Sequence, residues 1–258
     1  MLAVFGGSVR GMTAPMTVVD LRQYTTHPGR RDELADVFDE FFVESQEAEG
    51  MHIVGQFYDL DRPDRFVWIR GFADLETRAR ALPAFYYGPV WKQYGARANA
   101  TMLDSDNALL VRPLTIGPGY PVPGGPRPPA ATTDVPPTVV TGAVYHRASL
   151  DDGMPKLFDE VVEPVLRDTG AEPVVRYESL VADNHFPALP LRDELVFAWF
   201  AVLDDDVAYE AHRAALNRSQ AWLRTVLPEL ESRFIAPAQE LRLRPTPRSQ
   251  FGATRTTR

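Results

Sequence analysis

The two halves of this chain repeat each other, and that repetition constrains the fold more than any other feature. Phe38-Asp39-Glu40 returns 120 positions later as Phe158-Asp159-Glu160, and Gly50 returns as Gly170. Gln56-Phe57-Tyr58-Asp59-Leu60 falls on Arg176-Tyr177-Glu178-Ser179-Leu180. Each copy closes with a short strand pattern running into Arg-Pro, first Arg112-Pro113 and then Arg244-Pro245. A unit of about 100 residues is long enough to bury a core of its own. The repeat therefore predicts two like domains in tandem, and it says more about architecture than about chemistry.

The junction between the copies is plain. Residues 115–137 hold eight of the 23 prolines, and Pro118-Gly119-Tyr120-Pro121-Val122-Pro123 cannot be helix or central strand. A semi-extended linker is expected there. In the first copy, Val18 to Thr25 alternates apolar and polar residues as a strand does. A helix follows, with Leu34, Val37, Phe38, Phe41 and Phe42 on one stripe and Gly50 as terminator. Met51 to Tyr58 and Arg65 to Phe72 read as a hairpin. A second helical region runs from Asp74 toward Tyr94, and Asp106 to Arg112 reads as the last strand. The order β-α-β-β-α-β is the ferredoxin-like unit. In the second copy Met154, Leu157, Phe158, Val161 and Val162 carry the same stripe. Glu172–Leu180 and Leu195–Leu203 form the hairpin, with a longer connection containing Pro187 and Pro190. Val207–Leu227 is the second helical region, and 235–244 the last strand region. The expected organisation is a loose extension over 1–16, a domain over 17–114, the linker over 115–137, a diverged domain over 138–246 and a solvated, disordered basic tail over 247–258.

Composition excludes several function classes. A net charge of −8 argues against a nucleic-acid partner, which needs a basic face. No stretch approaches the ~20 apolar residues of a membrane span. Cysteine is absent, which removes thiolate chemistry and fits a reducing cytoplasm. His146, His185 and His212 form no shared motif, and the acid pairs Asp59/Asp61 and Asp104/Asp106 sit where turns favour aspartate. No metal and no cofactor is expected. There is no HExxH, Walker loop or GxGxxG.

Leu21-Arg22-Gln23-Tyr24 followed by Pro28-Gly29-Arg30-Arg31 resembles the opening of NIPSNAP-family proteins. So does Gly55-Gln56-Phe57 followed by Phe66-Val67-Trp68-Ile69-Arg70-Gly71-Phe72. The most specific part is Phe85-Tyr86-Tyr87-Gly88-Pro89-Val90-Trp91-Lys92 with Ala98-Asn99-Ala100-Thr101-Met102-Leu103. The resemblance covers about residues 17–114. The second copy departs from it: Trp199 or a neighbour stands near the place of Arg70, and Trp222 is the nearest relic of Gly-Pro-Val-Trp. The resemblance implies the dimeric α/β-barrel superfamily, in which two ferredoxin-like antiparallel sheets face each other. A tandem chain could supply both sheets, and exposed barrel edges would favour a homo-oligomer. Members of that superfamily include cofactor-free oxygenases, haem enzymes, isomerases, dehydratases and ligand-binding proteins, so the fold does not name a reaction.

Residues on a strand alternate faces. Asp20, Arg22 and Tyr24 share one face of the first strand, His52, Val54, Gln56 and Tyr58 one of the second, and Phe66, Trp68, Arg70 and Phe72 one of the third. These sets are expected to look into the barrel as a lined cavity with polar anchors, the alternative being a wet sheet face turned to solvent. Val19, Leu21, Ile53, Phe57, Val67 and Ile69 are expected to pack on the helices. Arg70 is the foremost candidate, as a clamp for a carboxylate, enolate or phenolate or as the partner of Asp20. His52 is a candidate general base and Tyr24 a candidate donor to a carbonyl. Candidate ligand-binding residues are Arg22, Gln56, Tyr58, Trp68, the aromatic segment Phe85, Tyr86, Tyr87 and Trp91, and Asn99 and Thr101. The expected function is binding of a small hydrophobic carbonyl, phenolic or quinoid molecule in the first half. Metal-free isomerisation, cyclisation, dehydration or oxygenation would fit it. The alternative is a non-catalytic scaffold whose barrel is filled by side chains.

Overall fold

The structure, a computed structural model, describes residues 15–118, 120–121 and 127–253. Most of the expected extension, the middle of the linker and residues 254–258 of the tail lie outside the described residues. The first half contains strands β1 (Val18–Thr26), β2 (His52–Asp59), β3 (Arg65–Phe72), β4 (Met102–Asp104) and β5 (Ala108–Ile116). The second contains β6 (Val139–Arg147), β7 (Pro173–Ser179), β8 (Leu195–Leu203) and β9 (Gln239–Pro245). Helices fill the intervals as the sequence predicts. Asp74 caps the helix Leu75–Tyr86 by accepting from the Thr77 amide at 2.7 Å, and Asp205 caps Asp206–Arg218 through the Ala208 amide at 2.8 Å. Gly50 and Gly170 both end their helices at positive φ, 91° and 102°. The repeated Phe-Asp-Glu landmark also has a structural counterpart. Phe38–Phe42 and Phe158–Val162 are both π-helical turns set inside α-helix.

The strands close on themselves. β1, β3, β2, β9, β6, β8, β7 and β5 pair in that cyclic order, always antiparallel, and β5 returns to β1. The short β4 adds to the end of β1. Within the halves the orders are β5-β1-β3-β2 and β9-β6-β8-β7, so each first strand lies between its last and its third. The halves join at β5 with β7 and β2 with β9. Each of the eight ring strands therefore has a neighbour on both sides, which removes the exposed edges on which homo-oligomerisation was expected.

Closure decides which face of each strand points inward, and it reverses the sequence-based expectation. An eight-stranded barrel is about wide enough to be filled by its own side chains. Here the filling is apolar: Val19, Leu21, Val67 and Ile69 meet Val140, Val196 and Phe200 in one buried core. The other face, with Tyr24, Phe66, Trp68 and Phe72, packs on Leu34, Phe38 and Phe42 of the overlying helix. Charge cannot be hydrated inside a sealed apolar barrel, so Asp20, Arg22 and Arg70 take the helix side. The second strand does not keep a single face either. Its register against β3 shifts between Ile53 and Gly55, so Val54 enters the barrel core while Ile53 joins the helix-side core.

Two terminal expectations also change. Met16, assigned to the loose extension, is 5% exposed and packs in the barrel core. The segment over 247–258, expected as a solvated tail, is buried at Arg248, Ser249 and Phe251. Its arginine is not idle charge: Arg248 pairs with Glu44 and donates to the carbonyls of Pro128 and Asp39. The linker contributes too, since Tyr120 reaches the barrel core and hydrogen-bonds Tyr177 at 2.5 Å.

Candidate ligand site beneath the helices of the first half

The register of β1 on β3 sets three pairs side by side: Asp20 with Arg70, Arg22 with Trp68, and Tyr24 with Phe66. Asp20 Oδ2 accepts from Arg70 Nη2 at 2.6 Å and Nε at 3.2 Å, and Oδ1 accepts from Arg78 Nε at 2.9 Å. Arg70 Nη1 donates to Gln46 Oε1 at 2.9 Å, and its guanidinium lies 4.7 Å from the Trp68 ring centroid. Burial alone would push the Asp20 carboxyl up, but the three guanidiniums of Arg70, Arg78 and Arg22 hold it down at about 2. Arg22 Nε donates to the Tyr24 hydroxyl at 2.7 Å. Burial raises the Tyr24 phenol to about 12 against the pull of Arg22, so it keeps its proton at neutral pH.

Next to this cluster lies a cavity of about 270 Å³ between the sheet and the helices. Tyr24 and Trp68 form its floor, and Gln46, Phe42, Phe85, Tyr86, Tyr87 and Trp91 its walls. Asn99, Met102 and Ser105 border one end. The aromatic wall depends on Gly88-Pro89, which separates the helices Leu75–Tyr86 and Pro89–Asn99. A Cβ at Gly88 would come within 2.6 Å of the Ala84 carbonyl, so the turn needs glycine. Tyr86 and Trp91 then meet edge to face at 4.7 Å. The roof comes from the other half of the chain. Phe186, Ala188, Leu189 and Pro190, between β7 and β8, cover the opening, with Phe186 stacked on Tyr86 at 5.6 Å. Asn184 holds this loop by donating to the Leu189 carbonyl and accepting from Arg78 at 3.4 Å.

Of the residues singled out by sequence, Tyr24, Trp68, Phe85, Tyr86, Tyr87, Trp91 and Asn99 are brought together around the cavity. Arg70 and Arg22 stand behind its floor, fully buried. Arg70 is the partner of Asp20 and does not border the cavity, so the clamp expected of it falls to the groups in front. His52 is elsewhere. It sits 3.7 Å from Glu47, and burial together with the nearby Arg127 pushes its imidazole down to about 4. Gln56 donates to Asp39 at 3.0 Å, and Tyr58 borders a separate open groove with Asp36 and Asp39. Thr101 closes a helix end by donating to the Ala98 carbonyl at 2.6 Å. Sequence reasoning missed Gln46, Ser105, Arg78 and the whole roof. The signal for the roof was present, because Phe186 and Leu189 are large apolar residues in a connection rich in proline.

The second half provides an internal control. Its equivalent pairs are Thr141 with Ala201, Ala143 with Trp199 and Tyr145 with Phe197. Trp199 therefore occupies the place of Trp68, and Ala201, rather than Trp199, that of Arg70. Arg78, four residues beyond the capping Asp74, corresponds to Tyr209, four beyond the capping Asp205. All four charged residues are thus replaced by neutral ones. The cavity on that side shrinks to about 60 Å³. Among the described residues no helix is long and apolar enough to cross a membrane, and no group of three or more His, Asp or Glu side chains could hold a metal ion.

Among curated proteins none matches the chain. An anthrone oxidase-like protein superposes with a TM-score of 0.58 at 14% identity, over 90% of this chain and 92% of its own. A candidate monooxygenase from Fusobacterium nucleatum gives 0.54 at 11% identity, over 90% and 93%. These two share the fold across both halves. A NIPSNAP-like domain protein from Burkholderia xenovorans is 24% identical over 43% of this chain and 97% of its own, with a TM-score of 0.38. The NIPSNAP family model matches residues 19–118, the segment that builds the floor and walls of the cavity. Over residues 19–118 the chain is therefore similar to the NIPSNAP family.

Proposed function

We propose that the chain binds a small aromatic molecule with a carbonyl, phenolic or quinoid oxygen in the first-half cavity. The carrying observation is the cavity itself, walled by aromatic rings and floored by a hydroxyl whose acceptor side is already taken by Arg22. Tyr24 accepts from Arg22, so its own proton is left for a ligand oxygen. Flat aromatic walls suit a planar ring, and a few polar groups at one end would orient it. In this reading each half is a ferredoxin-like unit, and the second has become scaffold and roof. The packed barrel supports that assignment, because buried apolar side chains such as Val19, Ile69 and Phe200 fill its interior. The names borne by the structural neighbours, a candidate monooxygenase and an anthrone oxidase-like protein, are compatible with a tailoring step on an aromatic ketone. If the site is catalytic, Tyr24 is the group placed to give and retake a proton at the ligand oxygen.

Trp68 and Trp91 both line the cavity, so occupancy should quench tryptophan fluorescence. Titration with 1,4-naphthoquinone should give saturable quenching that Ala188→Trp, which fills the mouth from the exposed roof loop, abolishes. Equal quenching in the wild type and the blocked variant would refute the reading.

A further inference from the structure

We infer that the ligand oxygen is held as an anion, in a clamp made of Tyr24, Trp68 and the charge of Arg22. This rests on the cavity being the ligand site. The two halves supply the comparison. In the second half, Trp199 Nε1 donates to the Tyr145 hydroxyl at 3.0 Å. In the first half the equivalent tyrosine hydroxyl is engaged by Arg22 instead, and Trp68 Nε1 is buried with no hydrogen-bond partner among the described residues. Arg22 has thus freed the Trp68 N–H, beside a Tyr24 O–H that is open to donate, on two residues that border the same cavity. A buried N–H without a partner is costly, and a ligand acceptor would satisfy it.

The charge balance gives the sign. Among the described residues Asp20 is the one carboxylate paired within this cluster, against Arg22, Arg70 and Arg78, and all four are buried to within 1%. Asp20 is shared by Arg70 and Arg78. Arg22 has no carboxylate partner among the described residues. It donates to the Tyr24 hydroxyl and, at 3.3 Å, to the Ser105 carbonyl, and its Nη1 has no partner there. A buried guanidinium whose hydrogen-bond acceptors are all neutral, and on which Asp20 acts only from beyond ion-pair distance, is electrostatically incomplete. Tyr24 relays that charge: a phenol that accepts from a guanidinium is a stronger donor to an oxyanion. The ligand class is accordingly an aromatic phenolate, enolate or carboxylate rather than a neutral ketone.

The test uses 4-nitrophenol, whose phenolate is coloured. Its ionisation midpoint, read from absorbance on the intact protein, should fall by about one unit on binding, a tenfold preference for the anion. Arg22→Ala, which copies the Ala143 of the second half, should return the midpoint to that of the free dye while the dye still binds. Arg22→Lys should keep part of the shift. Binding with an unchanged or raised midpoint in the wild type would overturn the anion clamp and leave the cavity reading intact. No binding at all would overturn both. The wild-type measurement decides the matter even if a variant fails to fold.

Discussion

Arg22 Nε lies 2.7 Å from the Tyr24 hydroxyl, in the place where the second half keeps a tryptophan-to-tyrosine hydrogen bond. That exchange turns a closed polar contact into an open one, and it has a consequence for stability. Arg70 and Arg22 are both fully buried, but only Arg70 has a carboxylate partner. Removing one member of a buried ion pair strands the other charge, whereas removing Arg22 takes a donor only from the neutral Tyr24 hydroxyl and Ser105 carbonyl. Arg70→Ala should therefore destabilise the fold by about 3–5 kcal/mol. Arg22→Ala should cost clearly less than Arg70→Ala. Urea unfolding of the two variants checks the contrast, and equal losses would contradict the assignment of Arg22 as a functional charge.

The same cluster sets a response to acid. Asp20 has its carboxyl lowered from 3.8 to about 2, the guanidiniums overriding burial. Between these values the unfolded chain binds the proton and the folded chain does not. Stability should thus be fully present above about pH 4 and be lost as pH falls through 2, by on the order of 2 kcal/mol. Urea midpoints measured from pH 5 downward should show this loss in the wild type, and Asp20→Asn should flatten it.

Asp39 works in the opposite direction. Burial raises its carboxyl from 3.8 to about 6, offset in part by Arg248 and Arg127. Here the folded chain holds the proton after the unfolded chain has released it. The contribution is present below about pH 4 and is lost as pH rises through 6. Asp39→Asn keeps an oxygen to accept from Gln56 and removes the buried charge. It should be more stable than the wild type at pH 8, by on the order of 2 kcal/mol, with no advantage at pH 4. Thermal melts at the two pH values separate these outcomes.

Much of this was legible in the chain. The Gly50 and Gly170 terminators and the Gly88-Pro89 break all act locally, and local signals place the elements and the aromatic wall. The facing of the strands was not legible. Val19 and Leu21 alternate with Asp20 and Arg22, and either set could turn inward until β5 meets β7 and β2 meets β9. Those pairings join distant parts of the chain, so no window of sequence contains them. The roof escaped for the same reason: Phe186 finds its partner, Tyr86, in the other half. His52 and Thr101 were plausible by residue type alone, and their placement by the strand start and the helix end takes them away from the cavity.

The segment after β9 offers the last test. Phe251 is fully buried in the barrel core, with Phe57 at 5.9 Å, Tyr120 at 5.4 Å and Phe200 at 6.2 Å between ring centroids. Gly55 makes room for this packing, since a Cβ there would sit 2.5 Å from the Phe57 ring and 3.0 Å from the Phe251 Cβ. The Phe251 amide donates to the Val54 carbonyl at 3.0 Å, so the plug is tied to β2 at the site of its bulge. A phenyl ring lost from such a place leaves a void that the surrounding strands cannot collapse around. Phe251→Ala should cost about 3–5 kcal/mol in urea unfolding. Deleting residues 246–258 should cost at least as much, because it also removes the Arg248 contacts to Glu44 and Pro128. A solvated tail would tolerate both changes with no shift in midpoint.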